Sequence, residues 1–387
     1  MKYLIHTLSL PFYKTSKSII LFLCSALFSF SLYAQHHVFK AGFDSQECEE
    51  ILKVNLAFED TIKDNKFIDY IEGYKFLYSS PSIGLDNMYH IWLRSDSTII
   101  ISLRGTTPNM NSIMADFYCA MMPANGSIKL DSNKSFEYHL ASDPRAAVHA
   151  GFLIGYAFIA DHALESIQNL YKDGYRNFII TGHSQGGALC YYVSAWLMQL
   201  RKIGVFPNLG IKTYASAPPK MGNMYFAYDY DNAQLSNWSF SIVNADDPVP
   251  EIPFTTQQVV IDMNEPNPIL NLMNRFDDLP FLKRVVLKGA FNNMKKNAEK
   301  SSESYQKYLG KYVGSAIHKA LPGLELPDAV KTTYFVRPGV PITLVPTQNY
   351  YEYFKDSPSY YHHGLEPYRF LLREYFPGLT PFEKVKK

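Results

Sequence analysis

Cysteine is scarce in this chain, with four among 387 residues: Cys24, Cys48, Cys119 and Cys190. Cys24 falls in an N-terminal leader, so three remain beyond it, and an odd number excludes a disulfide framework. The sequence leaves a single bridge open, Cys48 to Cys119, because Cys190 sits in an apolar helical stretch and reads as a small buried hydrophobe. A charge excess is also lacking. Lys plus Arg is 37 against 36 Asp plus Glu, so the chain carries no strong field of one sign and nucleic acid is not an expected partner. Internal repeats and low-complexity tracts are absent. No apolar run reaches the roughly 20 residues needed to span a bilayer.

An unbroken weakly polar to apolar run, Ile19 to Tyr33, instead reads as the core of a secretory signal. Lys2, Lys14 and Lys17 precede it, and Ala34 offers a small residue for cleavage before Gln35. Cys24 lies inside the run rather than at its end, so a lipoprotein anchor is not expected. Residues 1–34 are therefore read as a removable leader and 35–387 as the exported chain, secreted, periplasmic or in the cell envelope. A retained membrane anchor is the alternative. Removal takes away three lysines and moves the formal charge from +1 to −2.

What is present is an ordinary globular balance, 47% hydrophobic and 19% charged, enough for one large domain or two small ones. The 29 Tyr and 26 Phe point to a core rich in aromatic packing. Asp44-Ser45 ahead of Glu47, Glu49 and Glu50 predicts a helix start. Ser97 to Leu103, with Ile99, Ile100 and Ile101, predicts a buried strand. Helical spacing over Gly151 to Tyr171, a short strand over Phe178 to Thr181, an apolar helix over Gly186 to Leu200, and strands at Ile211 to Ala215 and Ser239 to Val243 follow. Strand and helix alternate, which predicts an α/β fold: a mostly parallel central sheet flanked by helices. From about 266 to 327 lysines are spaced among apolar residues, predicting a helical insertion. Its lysine-bearing side reads either as a solvated helical face or as a cap facing a membrane or covering substrate. Thr333 to Val336 and Ile342 to Val345, around Pro338-Gly339, resemble a hairpin.

Gly182-His183-Ser184-Gln185-Gly186 stands between the short strand and the apolar helix. In that context G-x-S-x-G predicts a sharp turn that lifts the serine hydroxyl above the sheet, with glycines where side chains would collide. A serine hydroxyl needs a base to remove its proton as it attacks. In such folds an acid and then a histidine follow the serine in the chain. The acid is sought in Asp246-Asp247, after a strand. Downstream of it the histidines are His318, in the lysine-rich stretch, and the pair His362 and His363 in a loop before the last helix. Two oxyanion donors are also required: the backbone N–H of Gln185, and a group at an earlier strand end, where Thr106 in Arg104-Gly105-Thr106-Thr107 can offer its N–H and hydroxyl.

Five ordered segments resemble the class 3 lipases, the family of the fungal triacylglycerol lipases and of the α/β-hydrolase type. They are Leu103-Arg104-Gly105-Thr106, Val148-His149-Ala150-Gly151-Phe152, the serine turn Thr181 to Gly187, Pro219-Lys220-Met221-Gly222-Asn223, and Asp247-Pro248-Val249-Pro250-Glu251-Ile252-Pro253. The resemblance covers about residues 97–253 and the C-terminal histidine. It implies Asp247 as the acid. It implies His363 as the base, because Tyr368 follows it at the shorter spacing. It also implies a short helical lid at Met110 to Phe117, where an amphipathic core helix is the other reading. His149 precedes Ser184 and is read as structural. The sequence departs from the family in having Gln185 where Leu is common, Ala215 and Ala217 where Gly is usual, and a long interval between acid and histidine.

The expectation is a serine-dependent carboxylic ester hydrolase, a lipase using an acyl-enzyme, with Ser184, Asp247 and His363 as catalytic residues and Thr106 and Gln185 at the oxyanion. The expected partner is a lipid or other ester, with transient contact at a lipid interface. No metal or organic cofactor is implied. Two alternatives stand beside it: a phospholipase or polysaccharide acyl esterase, and a non-catalytic lipase-like protein that binds lipid or a partner.

Overall fold

The run 97–103, read as a buried strand, holds the strand Ile99–Leu103, fully buried and third in a seven-stranded sheet. The computed structural model describes residues 38–58, 71–235, 237–358 and 360–379. The expected leader and its cleavage point near Ala34 lie outside the described residues. In chain order the sheet strands are β1 (Tyr74–Ser79), β2 (Tyr89–Arg94), β3 (Ile99–Leu103), β8 (Asn177–His183), β9 (Gly210–Ser216), β10 (Ser239–Asn244) and β11 (Val340–Leu344). Their spatial order is β1-β2-β3-β8-β9-β10-β11. Two antiparallel pairs, β1/β2 and β2/β3, close one edge; from β3 to β11 every pair is parallel. Four short strands, β4 (Met121–Pro123) to β7 (Ala147–His149), form two small antiparallel pairs beside this sheet.

The helices are α1 (Ser45–Leu56), α2 (Met110–Phe117), α3 (Ala150–Lys172), α4 (Gln185–Lys202), α5 (Met224–Gln234), α6 (Pro268–Arg275), α7 (Phe281–Tyr305), α8 (Val313–Ala320), α9 (Gln348–Tyr353) and α10 (Leu365–Tyr375). Local chemistry sets their starts. Asp44 accepts from the N–H groups of Gln46 and Glu47 and so caps α1. His149 accepts from the N–H of Phe152 at 3.4 Å and stacks on the Phe152 ring at the start of α3, which is the structural role expected of it. The main core lies between the sheet and helices α3 and α4, where Phe152, Tyr156, Ile180, Leu189, Tyr192 and Leu197 are fully buried.

One expectation is corrected and one open alternative is decided. Residues 333–345 do not form a hairpin: β11 joins the sheet edge parallel to β10, while Val336 bridges Gly222. An isolated two-stranded ribbon is marginally stable, whereas a place beside β10 joins β11 to the edge of a seven-stranded sheet. Cys48, Cys119 and Cys190 are all free and buried, so the Cys48 to Cys119 bridge does not form. Cys119 packs beside Met121, Tyr305 and Phe335, and Cys190 lies in the main core.

Residues 266–327 contain α6, α7, a π-helical turn (Gln306–Tyr312) and α8. The far end of α7 is pinned to the body. Gln258 Nε2 donates to Ser302 Oγ at 2.9 Å, and the Tyr305 ring meets Phe254 edge-on at 4.6 Å. The Cys119 N–H donates to the Leu309 carbonyl at 3.0 Å. Helix α2 seats Ser112 and Ala115 inward with Met114 partly buried on the core, while Met110 and Phe117 stand in solvent.

Helix α1 ties the site-bearing strands together through polar groups. Asn55 at its end donates to Thr181 Oγ1 at 3.0 Å and accepts from Ser102 Oγ at 2.8 Å, bridging β3 and β8. Glu49 receives both Arg369 (2.9 Å) and Arg373 (2.6 Å) from α10. Glu47 is buried between Arg94 Nη1 at 2.6 Å, the Lys212 ammonium and the Tyr214 hydroxyl at 2.8 Å. Removing the carboxylate leaves two fully buried cations short of a partner. Glu47→Ala is therefore expected to cost about 3–5 kcal/mol, read as a fall in Tm and in the denaturant midpoint; a change below about 0.5 kcal/mol would contradict this assignment.

Candidate active site

The parallel strands deliver their carboxyl ends to one edge of the sheet, where clefts of open α/β sheets lie. Leu103 pairs with Gly182 across β3 and β8, so Arg104-Gly105-Thr106 and Ser184 leave adjacent strands at the same level. β10 ends at Asn244, three residues before Asp247. The loop after β11 and α9 brings in His363, on a 3-10 turn (Tyr361–His363) just before α10.

The serine turn is forced by close packing. Ser184 takes φ 60° and ψ −128°, a strained conformation for a residue with a side chain. A Cβ placed on Gly182 would stand 2.5 Å from the backbone of Gly186. One on Gly186 would stand 2.2 Å from the Leu103 carbonyl oxygen. Both positions therefore exclude any larger residue. Ala217 also has positive φ, 48°.

His363 Nε2 lies 2.9 Å from Ser184 Oγ, and its Nδ1 lies 2.8 Å from Asp247 Oδ2. Asp247 is buried and faces further donors: the Tyr368 hydroxyl at 2.6 Å on the same oxygen and the Val249 N–H at 2.9 Å on the other. Its neighbour Asp246 turns outward and accepts from the Tyr351 hydroxyl at 2.6 Å. His362 turns away from Ser184, its Nδ1 2.9 Å from the Tyr350 hydroxyl. His318 is 3.0 Å from the Leu324 carbonyl, within the insertion. Of the three candidate histidines, the fold thus brings His363 to the serine.

Thr106, Ser184, Gln185 and His363 line one cavity of about 230 Å³, whose other walls are Phe152, Asp116, Pro219, Val249, Ile252 and Pro253. On the other side of the serine a more open cavity of about 600 Å³ is lined by more polar groups, among them Asn55, Asp86, Arg104, Thr107 and Asn109, with Tyr360 and Leu365.

Three participants carried no role in the sequence reading. Asp116, the one acid in the otherwise uncharged α2, accepts from the Thr106 hydroxyl at 2.8 Å and from the Gln185 side-chain amide at 2.9 Å. Desolvation pushes its carboxyl up to about 6, against the opposing pull of these two donors and of His363. His183 donates from Nε2 to the carbonyl oxygen of His363 at 2.6 Å and accepts at Nδ1 near Ser216 Oγ at 3.0 Å. Its burial, with the nearby His363, lowers its pKa to about 3, so the ring is neutral and the donor stays fixed. Tyr368 served only as a spacing marker in the sequence, and its hydroxyl holds the acid. A lone acid in an uncharged helix was the available signal for Asp116. The other two contacts span 180 and 121 residues and leave no local trace. Among the described residues no group of three or more His, Cys, Asp or Glu is arranged to hold a metal ion.

Comparison with known proteins finds similarity over the segment that carries this geometry. Residues 100–257 match the family model described as Lipase (class 3). A secreted mono- and diacylglycerol lipase of Fusarium solani is 35% identical over 108 residues, which is 27% of this chain. The chain thus spans 29% of the length of that curated relative. Among solved structures, a lipase from Rhizopus microsporus var. chinensis aligns at 23% identity and TM-score 0.40, covering 54% of this chain and 69% of that one. The Rhizomucor miehei triacylglyceride lipase aligns at 21% identity and TM-score 0.41, covering 56% and 77%. The matched stretch, residues 100–257, is the one that carries the serine turn, Thr106, Gln185 and Asp247, and over it the chain is similar to the class 3 lipases.

Proposed function

We propose that the chain is a serine carboxylic ester hydrolase acting on lipid esters through an acyl-enzyme. The observation that carries the reading is a single imidazole bonded at both nitrogens, to Ser184 Oγ and to Asp247. An ionised carboxylate only accepts, so His363 donates from Nδ1 and its Nε2 lone pair faces the serine hydroxyl. In this reading Ser184 Oγ attacks the ester carbonyl while Nε2 takes its proton. Asp247 stabilises the imidazolium that forms. The proton then passes to the leaving alcohol, and water repeats the sequence to release the acid.

The tetrahedral oxygen is assigned to the N–H of Gln185, at the start of α4, and to Thr106. The helix start favours negative charge there. Asp116 orients both residues and so acts as a positioning residue. His183 anchors the backbone that carries the base. The apolar cavity suits an acyl chain and the open polar one the alcohol portion. Residues 35–387 are taken as one hydrolase domain with 266–327 as its insertion, exported after loss of 1–34; the relative from Fusarium solani is itself described as secreted.

Ser184→Ala is expected to lower turnover of p-nitrophenyl esters by about 10⁴-fold or more with folding unchanged. Undiminished turnover contradicts the reading. A panel of acylglycerols, phospholipids and acylated polysaccharides then separates a lipase from a phospholipase or acyl esterase.

Asp116 supplies a pH test. Its pKa is about 6 in the folded chain against an ordinary 3.8. Folding therefore takes up a proton between those values, so the folded state gains stability as pH falls through about 6, and the gain is complete near 3.8. Asp116→Asn is expected to flatten that part of the Tm-against-pH curve. Its amide offers one acceptor to two donors, so kcat is expected to fall roughly 10- to 100-fold with KM little changed. An unaltered pH–Tm curve and unaltered kcat contradict the assignment.

A further inference from the structure

The strongest feature that ester hydrolysis leaves unexplained is the near end of α7. Phe281 is 67% exposed, Leu282 76%, Val285 52% and Val286 67%. At 3.6 residues per turn these four share one face over two turns. The same stripe continues through Gly289 to Lys296 and Lys300. No ion pair to Lys283, Lys296 or Lys300 is formed among the described residues, whereas Lys288 is paired with Asp277 at 2.6 Å. Over α7 six Lys or Arg side chains stand against two carboxylates, a net of +4 in a chain whose total is +1. Exposed apolar side chains of this size form an interaction surface rather than scattered surface hydrophobes.

We propose that this face of α7 seats the protein on a lipid surface bearing anionic headgroups, with the helix lying in the plane of the interface. The charge pattern chooses the occupant. An apolar stripe with unpaired ammonium groups beyond it complements a surface that is apolar inside and negative at its rim, and lysine stems can lie along the apolar layer while their heads reach the headgroups. Crossing is not the mode: among the described residues no helix is long and apolar enough to span a membrane. The far end of α7 is rooted against Phe254, next to Ile252 and Pro253 in the wall of the apolar cavity. Ile252 and Phe254 are themselves exposed. This deepens the lipid-ester reading and rests on it for the choice of a lipid surface over other apolar partners.

The test is co-sedimentation of the purified chain with phosphatidylcholine vesicles and with vesicles also containing phosphatidylglycerol, alongside turnover of a soluble short-chain ester. The parent is expected to bind the anionic vesicles at least about tenfold more tightly, with binding weakened by salt. Replacing Phe281, Leu282, Val285 and Val286 together by Ser is expected to weaken that binding at least about tenfold. Lys283→Gln, Lys296→Gln and Lys300→Gln together are expected to erase the preference for anionic vesicles. All these side chains are exposed, so both variants should fold and turn over the soluble ester as the parent does. Equal binding by parent and variants overturns the proposal. So does a concentration-dependent dimer in sedimentation that the serine variant abolishes while vesicle binding is unchanged, because a second copy then covers the face. Vesicle binding with no soluble-ester turnover leaves the docking face standing and removes the hydrolase reading.

Discussion

The structure depends on how closely three pieces of backbone meet beneath Ser184. Gly182, Gly186 and the carbonyl of Leu103 approach so nearly that a single added carbon at either glycine would collide. That approach lets α4 begin directly at the end of β8. It also holds Ser184 at positive φ with its hydroxyl clear of the sheet. The strain is local and costs about 1–3 kcal/mol. It is held by a fully buried surround: β3, β8 and β9 beside it, α4 behind it, and the Ser184 N–H bonded to the Ser216 carbonyl at 3.0 Å.

Convergence of the other groups follows from the sheet. Parallel strands put successive carboxyl ends along one edge, so Thr106, Ser184 and Asp247 arrive from β3, β8 and β10 without long detours. His363 comes from much farther along the chain and needs more support. Its ring is held by Asp247 and its carbonyl by His183. The helix that follows it is clamped through Arg369 and Arg373 to Glu49 on α1. The same helix α1 bridges β3 and β8 through Asn55. Helix α1 is thus the brace between the strands that carry the serine and oxyanion segments and the segment that carries the base.

The parts of this arrangement that were legible in the sequence are those written in local pattern. The apolar run at Ile99 to Leu103, the glycines around Ser184 and the cap at Asp44 each depend on neighbours a few residues away. The order of motifs then narrowed the choice of acid and base. What stayed illegible depends on distant partners. Val340–Leu344 looked like half of a hairpin because its pairing with β10 has no local signature. β1 and β2 were not foreseen, since their alternation is broken by a bulge between Phe76 and Tyr78 and by the continuous burial of Tyr89 to Trp92. Cys48 and Cys119 offered a possible pair by count alone, but the fold buries them separately, Cys48 on helix α1 and Cys119 beside Met121, Tyr305 and Phe335. Asp116 was hidden because its meaning lies in contacts to Thr106 and Gln185, not in its helix.

The central claim is that the His363 imidazole activates the Ser184 hydroxyl. Its most direct measurement is the rate at which a fluorophosphonate probe labels the folded protein, with the modified peptide located by mass spectrometry. The account predicts one label, on Ser184, and a rate that collapses in His363→Gln while His362→Gln labels at close to the parent rate. No label on the folded parent, or labelling of Ser184 that is indifferent to His363→Gln, would contradict it.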